Sequence, residues 1–226
     1  MSFEAAPAST ASHAESHVWR RLAQQWAPVS APIPPTESAV TGHDPRSDLK
    51  ARTARWGYTL GGGDLADLCR FGAALALAEA EAWASNDPAL AARAYADRRF
   101  LLGDRLIHWA VPWLTAAAET HDGALDSRAD LLELGDLHRP APRLSGAEGL
   151  HPPGEDSFGK QEVSLSIALS TLAGGVVLFG GAGSASVSHY RTATRRWMQL
   201  AADHPGTEAL WADLARRARV TAERLQ

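Results

Sequence analysis

Asp104 and His108 stand four residues apart in FLLGDRLIHWAVPWL (100–114), inside an otherwise apolar helical stretch. Residues at i and i+4 share a helix face, the geometry that two metal ligands on one helix require. Glu79 and Glu81, on an earlier helical stretch, could add carboxylates. Carboxylate-bridged di-metal centres in helical bundles, however, take a Glu-x-x-His pair from each of two helices. Ala82 and Ala84 occupy the places where those histidines would follow. Glu79 and Glu81 also point roughly 200° apart on a helix, so at most one could join. A helical metal-dependent enzyme centred on Asp104 and His108 is therefore the weaker reading. A polar i, i+4 pair on a partly solvated face is the stronger one.

Other chemistries find less support. No G-x-S-x-G elbow occurs, and Cys69 has no histidine nearby in its own stretch. GGGD (61–64) and GGAGS (180–184) lack the Lys-Ser/Thr of a phosphate loop. One cysteine among 226 residues excludes an internal disulfide and argues against a cysteine-built metal site. A net charge of −4 without a basic stripe gives no reason to expect nucleic acid. The N-terminal residues have no basic-then-apolar export pattern, so the expected compartment is the cytoplasm.

Helices must position whatever site exists. Residues 1–14 are poor in large apolar side chains and read as disordered. A short amphipathic helix follows at 15–26, with Val18, Leu22 and Trp26 spaced by four. Four prolines between 28 and 35 impose an extended loop. A second helix is predicted over about 46–60, stopped by Gly61-Gly62-Gly63. Asp64 is the expected N-cap of the next helix, and Asp87 with Pro88 opens the one after. The buried stripe of the following helix is Leu102, Leu106, Trp109 and Trp113, with Pro112 expected to kink or end it.

Residues 138–161 read as a linker rich in Pro, Gly and charge. The uncharged stretch 163–187 has the length of a membrane span, which would make the chain a membrane-tethered assembly factor. Its five glycines and five serines favour a buried helix broken at Gly174-Gly175. Leu210, Leu214 and Leu225 mark a closing helix. The fold class is all-α: a single-domain helical bundle over 15–226, with a proline-rich loop and a partly irregular C-terminal third.

An ordered set of motifs adds to this. IPPTESAV contributes Pro34, Pro35, Glu37 and Ser38, and WGYTLGGG follows with Trp56 and Tyr58. GGDLADLCRFGAALALAEAEAW carries Asp64, and FLLGDRLIHWAVPWL carries Phe100, Leu106, Trp109 and Trp113. In this order the motifs resemble the TorD/DmsD/NarJ family of cytoplasmic chaperones for molybdenum enzymes. Leu65 and Arg105 stand where that family has histidines, and 126–190 has no counterpart. The resemblance implies no catalysis and no cofactor. It implies a maturation chaperone that holds the apo-form of a molybdopterin-dependent oxidoreductase, together with its twin-arginine signal peptide, until cofactor is inserted. Dimerisation is left open.

Such a signal places two arginines ahead of an apolar segment. Its receptor needs an apolar groove with carboxylates at the mouth. The residues expected to contact the peptide are Pro35, Glu37, Ser38, Trp56, Tyr58, Asp64, Leu65, Arg105 and Trp109. Glu37 and Asp64 would form the mouth, and Trp56, Tyr58 and Trp109 the wall.

Overall fold

A computed structural model describes residues 5–27, 31–44, 46–136 and 184–224. The proposed linker 138–161, most of the uncharged stretch 163–187, and Leu225 lie outside the described residues. Within them the fold is all-α, with no strand beyond an isolated bridge between Thr36 and Asp64.

The first helix, α1 (Ala5–Gln25), starts well before the expected 15, and residues 5–14 are part of it. Ser12, Glu15, Ser16, Trp19, Leu22 and Ala23 form its buried face, at helical spacing. The N-terminal half of that face is small or polar, which is why its composition reads as disorder. It is ordered by what it packs against. α4 (Leu65–Ala84) presents Ala73, Ala76 and Ala80, and Ser9 donates to the Ala80 carbonyl at 3.0 Å. Small faces let the two helices approach closely.

The approach is tightest at Gly72. A Cβ built there would lie 2.6 Å from Trp19 Cε3, inside any tolerable contact. Gly→Ala in a helix interior ordinarily stabilises by roughly 0.5–1 kcal/mol. Here the sign should reverse. Gly72→Ala should cost about 1–3 kcal/mol in chemical denaturation, because overpacking forces Trp19 to shift. Trp19→Phe should cost less in the Gly72→Ala background than in the native chain. A stabilised Gly72→Ala protein would show that the two helices do not pack as described.

α2 (Glu37–Thr41) is one short turn, capped by Thr36, whose hydroxyl accepts from Ala39 N, and by Gly42 at φ 77°. α3 (Arg46–Arg55) ends five residues earlier than expected. Gly57, at φ 61°, is the stop. Tyr58 N donates to Thr53 O and Gly57 N to Ala54 O, the paired bonds of a Schellman motif. Asp64 caps α4 as expected, accepting from Asp67 N at 2.7 Å. Asp87 caps α5 (Pro88–Phe100), accepting from Leu90 N at 3.0 Å with Pro88 at the first helical position.

A π turn (Leu101–Leu106) leads directly into α6 (Ile107–Ala117). Pro112 lies inside α6 and does not end it. Trp109, Trp113 and Leu114 are all buried around it. Burying that much apolar surface offsets the roughly 3 kcal/mol that an interior proline costs.

α7 (Ala124–Asp136) has no counterpart in the sequence reading; it is pinned through Ser127, which accepts from Trp26 Nε1 at 3.0 Å. α8 (Ser184–Asp203) and α9 (Glu208–Arg224) form a hairpin through a 3₁₀ turn at Pro205–Thr207. The described residues of the C-terminal third, 184–224, are helical apart from His204. Tyr190, Ala193, Trp197 and Leu200 of α8 join Trp211, Leu214 and Ala218 of α9 in one buried cluster with α1, α4 and α6. No helix among the described residues is long and apolar enough to cross a membrane.

Candidate functional site

Six of the nine expected contact residues meet at one place. The Pro35 carbonyl accepts from Leu65 N at 2.8 Å, so the proline-rich loop crosses the start of α4. Thr36 and Asp64 bridge, and Ser38 follows within α2. Arg105 reaches from the π turn to Glu37 at 3.3 Å. The chemistry of this cluster differs from expectation. Glu37 is only 6% exposed and its carboxylate is engaged with a nearly buried guanidinium, so it is a structural tie and not a mouth. Leu65 is fully buried, and the Asp64 carboxylate is the helix cap.

The expected wall is also dispersed. Trp109 is wholly inside the core. Trp56 donates Nε1 to the buried Asp97 carboxylate at 2.8 Å, which Arg52 and Arg55 also engage, tying α3 to α5. Tyr58 packs on Phe71, centroids 5.0 Å apart, and its hydroxyl donates toward Asp67. Burial first, and then the Asp67 carboxylate, raise the Tyr58 hydroxyl above its ordinary range, which keeps it a donor.

Metal and nucleophile chemistry gain nothing here. His108 is buried, and the side chain of Asp104 lies outside the described residues. Glu79 is buried against Arg98, while Glu81 faces solvent, so the two carboxylates diverge as their spacing requires. Among the described residues no three His, Cys, Asp or Glu side chains gather as a metal set. Cys69 is fully buried, and desolvation pushes its thiol far above the usual range, so it is inert as a nucleophile.

A different feature beside the proline-rich loop has the composition of a peptide site. A cleft of about 270 Å³ opens between the loop at Ala31, Pro32 and Ile33, the end of α6, and the turn joining α8 to α9. Ile33, Trp113, Ala116 and Ala117 supply apolar lining. Glu119 and Asp203, both exposed, are its carboxylates. Trp113 fixes the loop above the cleft by donating Nε1 to the Ile33 carbonyl at 2.8 Å. Its ring meets Trp26 edge-on at 5.0 Å.

That volume lies below the roughly 300–1,000 Å³ typical of small-molecule pockets. It suits one or two side chains of an extended segment better than a large cofactor. Sequence reasoning missed Glu119 and Asp203 because each lies in a helix-ending segment, ETHDG and DHPG, more than eighty residues from the other. Pro205-Gly206 marks a turn, but no periodicity pairs the two turns. No protein-family model, characterised protein or solved structure matches the chain.

Proposed function

We propose that this chain is a maturation chaperone for a molybdopterin-dependent oxidoreductase, binding the client precursor and its twin-arginine signal until cofactor is inserted. The ordered motifs and the all-α bundle support the reading. The observation that carries it is the cleft beside the proline-rich loop, where an apolar floor meets two exposed carboxylates. The arginines of a signal would pair with Glu119 and Asp203, and the first apolar side chains behind them would enter over Trp113 and Ile33. A loop already stiffened by proline and anchored to Trp113 limits the ordering cost of binding. No covalent step is involved.

The test is calorimetric titration of a synthetic twin-arginine signal peptide into the full chain. Glu119→Gln with Asp203→Asn should weaken binding by about tenfold, the scale of two partly solvated charge pairs. Native affinity should fall with added salt. Glu37→Gln serves as the control: it disturbs a buried pair, so it should lower thermal stability and leave affinity unchanged. Unchanged affinity in the double variant would place the peptide elsewhere, and no binding by the native chain would remove the signal-peptide reading.

A further inference from the structure

The α8–α9 hairpin carries charge opposite to the rest of the chain. Its two helices hold seven arginines and four acidic residues, a net of +3, which leaves −7 for the remainder of a chain whose total is −4. Three of the hairpin's arginines have internal work. Arg196 donates to the Ala39 carbonyl at 2.6 Å and to Gln199, while Arg216 and Arg217 engage Asp213.

Three others converge on an open groove of about 600 Å³ between the helices, lined by Arg191, Thr194, Arg195, Arg219, Ala222 and Glu223. Arg191 and Arg195, at i and i+4, share a face of α8 and repel one another. Among the described residues neither has a carboxylate partner; Arg195 Nε donates only to the Arg191 carbonyl, at 3.4 Å. Arg219 has Glu223 at 3.9 Å, the outer limit of an ion pair.

The geometry points to this groove as a docking site for an acidic polypeptide segment of a partner protein. The guanidiniums are spread along two helices, matching carboxylates spaced along a chain. A single compact phosphate would meet fewer of these spread guanidiniums than a run of carboxylates does. The site is distinct from the acidic cleft. Arg195 and Asp203 are eight residues apart on α8, about 12 Å along its axis at 1.5 Å per residue. This inference does not depend on the proposed chaperone role.

The experiment is fluorescence anisotropy of a labelled glutamate-rich peptide of about 20 residues (long enough to run along several helical turns) with the full chain at low salt. The triple variant Arg191→Gln, Arg195→Gln, Arg219→Gln should bind at least tenfold more weakly. A control removing three exposed positive charges elsewhere, Arg20→Gln, Lys50→Gln and Arg93→Gln, should bind as the native chain does. The single reversal Arg195→Glu should weaken binding even if the triple variant folds poorly. Equal loss in the control variant, no binding by the native chain, or binding to phosphatidylglycerol vesicles or inorganic phosphate without binding to the peptide would each overturn the proposal.

Discussion

Replacing Arg98 by methionine should remove about 3–5 kcal/mol of stability, the scale at which a buried ion pair loses one partner. Arg98 lies in α5 and engages two carboxylates, Glu15 of α1 and Glu79 of α4, and all three residues are at most 5% exposed. One cation thus joins three helices and offsets two buried anions. Its removal leaves both carboxylates facing each other away from water, which costs more than the packing of a methionine restores. Against a typical total of roughly 5–15 kcal/mol, that loss is a large share of the fold's stability.

The same reasoning gives the control. Arg98→Met combined with Glu15→Gln and Glu79→Gln removes all three charges and should recover most of the loss, since well-packed neutral replacements of a buried ionic cluster are often close to neutral. Urea denaturation of the native chain, the single variant and the triple variant decides it. A loss under about 1 kcal/mol for Arg98→Met alone is the size of an exposed pair. It would mean that the triad is solvated.

That triad illustrates what the sequence does and does not carry. Caps were legible, because Asp64, Asp87 and Pro88 act on backbone a few residues away. The tryptophan stripe of α6 was legible from its spacing. Glu15, Glu79 and Arg98 were not, because helical periodicity places each on a face without naming the face opposite. The same gap turned Glu37 from a mouth into a buried tie: its partner Arg105 is 68 residues away. The first half of α1 was hidden for another reason. A helix face of serine and alanine carries no hydrophobic signal until an equally small face lies against it.

Trp109 and Trp113 lie four residues apart on α6 and are equally buried, yet they should respond differently to the same substitution. Either residue changed to alanine should cost about 3–5 kcal/mol, the usual loss for emptying a core tryptophan site. Phenylalanine separates them. Trp113 Nε1 donates to the Ile33 carbonyl at 2.8 Å, so Trp113→Phe leaves a buried carbonyl unsatisfied and should cost about 1–3 kcal/mol beyond the lost volume. Trp109 Nε1 has no partner among the described residues. Trp109→Phe removes a buried donor along with the ring volume, and these effects oppose each other, so its net cost should be under about 1.5 kcal/mol. The difference extends to binding. Releasing Ile33 frees the proline-rich loop that roofs the acidic cleft, so Trp113→Phe should also weaken the signal peptide, while Trp109→Phe should leave its affinity unchanged. Thermal denaturation and peptide titration on the two variants measure both effects. Equal stability losses would mean that the indole bond to the loop contributes nothing. A destabilised Trp113→Phe chain with native affinity would detach the cleft from peptide recognition.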